Sequence, residues 1–205
     1  MDEKLEKYLN YEGGFFVELG ANNGVQQSNT LYYEKYKNWR GVLVEPIMHL
    51  FFQCRANRAI GTKIYCYACT SFDYKEKFVE IIYSNLMSIS MGLESDIPDP
   101  AAHAREGKEC GLHPAEDNVL FGALAKPLNE ILLEADAPKL IDFLSLDVEG
   151  AEIEVLKGVN HDQFKFKYMC IESRSLASLL EYLTPRGYEM IDKLSQWDYV
   201  FQLKT

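Results

Sequence analysis

Near its start the chain reads Phe15-Phe16-Val17-Glu18-Leu19-Gly20-Ala21-Asn22-Asn23-Gly24. A short apolar run ends on an acid and breaks into a turn bounded by glycines. That order predicts a strand, a tight turn and then a helix, with backbone N–H groups able to approach a ligand closely. A second run, Gly41-Val42-Leu43-Val44-Glu45-Pro46, also ends on an acid. An acid at the tip of the next parallel strand is placed to accept hydrogen bonds from a ribose diol. Together the two strand ends predict a pocket for a nucleoside-bearing ligand.

The same alternation of strand and helix runs through the rest of the chain. Residues 2–11 form a charged amphipathic helix with Leu5, Tyr8 and Leu9 on one face. Strands are expected at 15–19, 42–45, 63–68, 78–83, 119–124, 141–146, 168–172, 188–191 and 198–203. Helices are expected at 31–36, with Ser28 as its cap, and at 47–57, 127–135, 151–157 and 176–183. Residues 85–118 break the pattern and collect Gly, Pro, Asp and His. Loops longer than about 15 residues are uncommon in compact domains and usually functional, so this segment is expected to be an insert covering the pocket. With no repeat, linker or low-complexity tract, residues 1–205 are expected to form one domain, an open α/β sheet with helices on both faces.

Composition narrows the partners. A chain of 205 residues with 47% hydrophobic content can bury a full core. Its net charge of −10 offers no basic footprint for a nucleic-acid backbone. No apolar run approaches the roughly 20 residues that span a bilayer, and the polar start Met1-Asp2-Glu3-Lys4 is unlike a secretory signal. A soluble, cytoplasmic protein without a membrane span is expected. The cysteines Cys54, Cys66, Cys69, Cys110 and Cys170 are an odd, scattered set, which suits a reducing compartment. Cys66 and Cys69 have CxxC spacing, but one strand running through both would turn them to opposite faces.

Ligands of open α/β sheets bind beyond the carboxyl ends of the strands. That rule selects Glu18, Glu45, Cys69, Asp147 and Glu172, four of them acidic. A dinucleotide site asks for G-x-G-x-x-G, whereas here Asn22 stands between Gly20 and Gly24. Glu18 would repel a pyrophosphate and attract the ammonium of a methionine moiety. S-adenosylmethionine is therefore expected in preference to NAD.

The blocks from Phe16 to Gly24, Ser28-Asn29-Thr30 and Gly41 to Pro46 resemble the start of the FkbM family of S-adenosylmethionine-dependent methyltransferases. Ile141-Asp142-Phe143-Leu144-Ser145-Leu146-Asp147-Val148-Glu149-Gly150-Ala151-Glu152 is similar to that family's most distinctive block. The resemblance implies a Rossmann-like, seven-stranded class I methyltransferase sheet with the last strand antiparallel and an insert over the active site. It also implies methyl transfer to oxygen, on a sugar, a glycan or a related polar natural product. By position it implies that Glu18, Gly20, Asn22 and Gly24 frame the methionine end of the cofactor. Ser28, Asn29 and Thr30 would meet its carboxylate, Glu45 the ribose, and Ala68, Cys69 and Thr70 the adenine. Ile171-Glu172-Ser173 departs from relatives that carry a histidine shortly after the acid. A first motif so near the start of the chain suits a domain of a larger glycan-modifying enzyme.

A sugar hydroxyl is a weak acid, so methyl transfer wants a base beside it. Asp147 is the first choice, with Glu149 and Glu172 as helpers; Asp147 also borders the cofactor. Asp147 and Glu172 equally suit a magnesium ion that would lower the hydroxyl's pKa directly. Asn85, His103, Arg105 and His113, in the insert, are the candidates for acceptor contact. The low aromatic count there favours a polar acceptor. The alternative classes are a non-catalytic cofactor-binding module and a nicotinamide-dependent oxidoreductase, the latter disfavoured by Glu18 and Asn22.

Overall fold

The structure, a computed structural model, describes residues 2–111 and 118–204. In chain order these form α1 (Asp2–Leu9), β1 (Phe15–Leu19), α2 (Leu31–Tyr36), β2 (Arg40–Val44), α3 (Met48–Asn57), β3 (Lys63–Tyr65), β4 (Ala68–Thr70), β5 (Phe78–Tyr83) and β6 (Ile89–Met91). There follow α4 (Pro100–Gly111), β7 (Val119–Pro127), α5 (Leu128–Glu134), β8 (Leu140–Leu146), α6 (Glu152–Leu156), β9 (Lys165–Glu172), α7 (Leu176–Leu183), β10 (Tyr188–Lys193) and β11 (Asp198–Leu203). Seven strands make the main sheet in the order β10-β11-β9-β8-β1-β2-β3. β1, β2, β3, β8 and β9 run parallel, and β11 is antiparallel to both of its neighbours, as the expected sheet requires.

Each central strand is buried on both faces, which explains its nearly unbroken apolar run. Val17 and Leu19 of β1, Val42 and Val44 of β2, and Leu144 and Leu146 of β8 meet Leu128, Ile131 and Leu132 of α5, Val155 and Leu156 of α6, and Leu179 and Leu183 of α7. The alternate residues Phe16, Leu43 and Phe143 point the other way, onto Leu5 and Leu9 of α1, Tyr33 of α2 and Cys54 of α3. The period-2 geometry of strands therefore builds two apolar layers from one set of sequences.

Two features depart from the sequence reading. The run expected as one strand at 63–68 breaks: Glu45 N–H donates to the Tyr65 carbonyl, and the next N–H on that side, of Ile47, is taken by the Glu45 side chain (2.9 Å) and does not extend the ladder. β3 stays in the main sheet, while Ala68, Cys69 and Thr70 turn away and pair with Ala125, Lys126 and Pro127 in a second sheet, β4-β7-β5-β6. Cys69 is thus not the tip of a main-sheet strand, and the opposite-faces argument for Cys66 and Cys69 lapses. Both are free thiols, as are Cys54 and Cys170. The insert, expected as an aperiodic loop, contains β6 and α4. Small residues pack α4: Ala104 is buried, and a Cβ on Gly107 would come 2.5 Å from Ser84 Oγ. No stripe of large apolar side chains advertises such a helix. His113 lies outside the described residues.

The register positions the site. Leu19 is level with Val44 on one side and Leu146 on the other, and Leu146 with Ile171. The next residues, Gly20, Glu45 and Asp147, which leave the sheet, and Glu172, which ends β9, consequently lie along one line. Chain order reverses between β1 and β8, so this line crosses the switch point at which open α/β sheets bind ligands.

Candidate active site

A cleft of about 980 Å³, open solvent included, lies over that line. At its floor Gly20 has φ +74°, and a Cβ there would sit 1.8 Å from the Asp147 carbonyl oxygen. Only glycine fits where β1 and β8 hand over to their loops. Four non-glycine residues that line the cleft, Asn22, Gln27, Asn85 and Glu149, also adopt the left-handed region, with φ of 50°, 58°, 54° and 54°. Such conformations cluster where backbone is shaped for a ligand rather than for stability.

The residues expected to frame the cofactor divide into two groups. Gly20, Asn22, Asn29, Glu45, Ala68 and Cys69 line the cleft, as does Glu18 at its base. Gly24, Ser28 and Thr30 stand behind it. Glu18 is buried with both oxygens engaged: Oε1 accepts from Asn29 N–H (2.8 Å), and Oε2 from the Ser28 hydroxyl (2.9 Å), the Thr30 hydroxyl (2.5 Å) and Arg58 Nη1 (3.4 Å). Glu18 and residues 28–30 therefore bind one another, and the carboxylate braces the loop. Ser28 also accepts Leu31 N–H (3.2 Å), close to its expected capping role. Glu45 is buried too; its two oxygens accept Asn22 N–H (2.8 Å) and Ile47 N–H (2.9 Å). Burial pushes its pKa up to about 7 against the pull of those two donors.

At the other end, oxygens of Asp147, Glu149 and Glu172 all lie within 4.8 Å of one another. Burial, then the charges of Glu172 and Glu149, hold the Asp147 carboxyl well above the usual carboxylate range. Burial and Glu172 raise Glu149 to about 7, although Arg174 opposes them. Glu149 Oε2 meets His103 Nε2 (2.9 Å) from α4 and accepts from Arg174 Nη2 (3.2 Å). His103 is itself held below its ordinary pKa by burial and by Arg174. The insert thus delivers His103 to the back of Glu149, not to the cleft wall. Arg105, about 200° further round the helix, is exposed and does not line the cleft. Asn85, with Leu86, Ser88 and Ser90, does line it.

Several working residues carry no motif signal. Arg58 lies beneath the glycine loop. Asp96 ties the insert down: its N–H donates to Gly150 O (3.0 Å), and its Oδ2 accepts from Ser173 Oγ (2.7 Å), Arg174 N–H (2.6 Å) and Ser175 N–H (3.1 Å). Glu152 is buried, and its Oε1 accepts Val148 N–H (3.2 Å) and Gly150 N–H (3.0 Å), which closes the turn that carries Glu149. Burial raises it to about 8. Glu152 stood within the block Ile141 to Glu152 that the sequence singles out; Arg58 and Asp96 had no such signal. His49 stacks edge-on against Tyr83, and His161 packs against Tyr182 and Tyr188 away from the cleft.

A sequence profile described as the methyltransferase FkbM domain matches residues 18–201, spanning every element that builds this cleft. The chain belongs to the FkbM methyltransferase family. Solved structures agree on the fold of this FkbM domain. Methyltransferase FkbM from Methylobacillus flagellatus KT is similar with a TM-score of 0.52 at 15% identity, over 96% of this chain and 50% of that one. The human methyltransferase 10 domain containing protein is similar with a TM-score of 0.50 at 12% identity, over 98% of this chain and 79% of that one. This FkbM domain spans half the length of the first of these structures. No curated protein matches it. No described helix is long and apolar enough to cross a membrane.

Proposed function

We propose that the cleft binds S-adenosylmethionine and that the domain methylates a hydroxyl of a sugar, a glycan or a related polar natural product. The observation that carries this reading is the triad of Asp147, Glu149 and Glu172 at the far end of a cleft whose floor is built for a close-fitting ligand. Gly20 and Asn22 would admit the methionine portion. Glu45, whose oxygens each accept one backbone N–H, keeps lone pairs for the ribose hydroxyls. Ala68 and Cys69 would flank the adenine. Bound there, S-adenosylmethionine would supply an electrophilic methyl group on its sulfonium.

The chain's own task is then to take a proton from a weakly acidic hydroxyl. A carboxylate with raised proton affinity is a better base near neutral pH than an ordinary one, and such assistance contributes about 10²–10⁴-fold. Asp147 borders the cleft and has the strongest reason for raised affinity, two neighbouring acids and burial. Glu149, Ser88, Ser90 and Asn85 present polar groups suited to a polyol. Calorimetry with S-adenosylhomocysteine and with NAD tests the cofactor, and binding of NAD alone would end this reading. A labelled-methyl assay over a panel of glycans and polar natural products tests the reaction. Asp147→Ala should lower turnover by at least about a hundredfold with S-adenosylhomocysteine affinity within a few-fold; an unchanged rate would remove Asp147 from the mechanism.

The convergence of three carboxylates also favours a second reading, in which a divalent cation such as magnesium sits on them and acidifies the hydroxyl. Activity lost on exhaustive chelation and restored by magnesium would select it.

A further inference from the structure

Outside the triad, a buried polar cluster lies under the glycine loop, centred on Arg58. Its side chain is fully buried, and those of Glu18 and Glu34 are 4% and 5% exposed. Arg58 Nε donates to Glu34 Oε1 (3.1 Å), and Nη2 donates to Thr30 Oγ1 (2.9 Å). Nη1 lies within reach of Ser28 Oγ (3.1 Å), the Gly24 carbonyl (3.2 Å) and Glu18 Oε2 (3.4 Å). The guanidinium also stacks 5.3 Å from the centre of the Phe16 ring. Glu34, on α2, is itself anchored, accepting from Ala59 N–H (3.0 Å) and from the Thr62 hydroxyl.

One side chain thus touches the end of β1, the glycine turn, the turn at 28–30 and α2. Between β1 and α2 there is no regular structure to hold residues 20–30, and four of them, Gly20, Asn22, Gly24 and Gln27, have positive φ. A loop in such conformations would have to be ordered on each binding event unless something orders it beforehand. A planar guanidinium spreads five donors over three nitrogens in a fixed fork, whereas an ammonium has three donors on a single nitrogen and cannot reach acceptors so far apart.

We propose that Arg58 is the positioning residue of the cofactor site, holding residues 20–30 in the binding conformation in the absence of ligand. The inference rests on the reading of the cleft as an S-adenosylmethionine site. It makes Glu18, Ser28 and Thr30 parts of a brace that presents Gly20, Asn22 and Asn29 to the ligand.

The test is calorimetry of the full chain with S-adenosylhomocysteine, alongside hydrogen exchange of the loop amides at 20–30. Wild type is measured first, and failure to bind would remove the cofactor reading and this inference with it. With binding established, Arg58→Met should weaken affinity at least about tenfold and Arg58→Lys several-fold, each with faster exchange concentrated in the loop. Val200→Ala, a buried change on β11 outside this brace, serves as the control for general destabilisation. It should lower the melting temperature yet keep affinity within about twofold. Should Arg58→Met not fold, Arg58→Lys and Glu34→Gln give the same readout. Affinities of the folded Arg58 and Glu34 variants within about twofold of wild type, or loop exchange matching Val200→Ala, would overturn the proposal.

Discussion

Replacing Glu149 by glutamine should flatten the dependence of stability on pH. Folded Glu149 keeps its proton to about 7, while the unfolded chain releases it near the ordinary 4.5. Between those values the folded state holds the extra proton, so stability falls as pH rises. Below the lower value both states are protonated and the contribution is fully present; above the upper one both are ionised and it is gone. Each pH unit of separation is worth about 1.4 kcal/mol, so ionising Glu149 costs the fold on the order of 3 kcal/mol, as an upper figure. The substituted amide carries no charge to bury beside Glu172, yet its side-chain oxygen can still accept from Arg174. Below about 7 folded Glu149 is itself neutral, so the amide changes only hydrogen-bond geometry there, an offset of about 1 kcal/mol that carries no slope. Urea unfolding of the ligand-free proteins at about pH 5 and about pH 8, in the presence of chelator, measures both terms. Wild type should lose on the order of 2–3 kcal/mol more than Glu149→Gln across that interval. Glu45 and Glu152, also raised by burial, add the same trend to both proteins and cancel in the comparison. Equal losses would mean that burial and Glu172 do not press on Glu149 as the geometry requires, and would weaken its place in the triad.

Two further substitutions probe the cleft. Gly20→Ala must fit a Cβ 1.8 Å from the Asp147 carbonyl oxygen at φ +74°. The left-handed conformation alone costs about 1–2 kcal/mol, and prying β1 from β8 adds to it, so thermal unfolding should show a loss well above 2 kcal/mol; a near-neutral variant would refute the close approach. Asp96→Ala removes the acceptor shared by Ser173 Oγ, Arg174 N–H and Ser175 N–H, with a stability loss of about 1–3 kcal/mol. Because Asp96 ties the insert to the triad's loops, acceptor KM should rise severalfold while S-adenosylhomocysteine affinity holds, and the reverse pattern would place Asp96 with the cofactor.

Much of the fold was legible because its signals are local. A buried parallel strand must be apolar along its length, and the turn after β1 needs glycine, so Phe15 to Gly24 announces itself wherever it is read. The same holds for Val42 to Glu45 and for Ile141 to Gly150. The insert was legible only as an interruption. Its helix α4 packs through Ala104 and Gly107, and small contact residues leave no hydrophobic period to detect. The break between Tyr65 and Ala68 was likewise hidden, because it depends on where the neighbouring strand stops offering N–H groups, at Ile47.

Site chemistry divides along the same boundary. Sequence alone determined that acids follow β1's neighbours at the carboxyl edge, since strand ends and their next residues are consecutive in the chain. Only the tertiary structure decided what those acids face. Glu18 turned inward because Arg58, 40 residues away, is buried beneath it with Ser28 and Thr30. Asp147, Glu149 and Glu172 converged because β8 and β9 lie in register, and His103 reached Glu149 because Asp96 and Ala104 dock the insert. Burial and hydrogen-bond partners belong to pairs of residues distant in the chain, and a carboxylate's proton affinity follows from both. No single stretch of sequence carries that information, so Gly20 to Gly24 could announce a pocket without saying what holds it open.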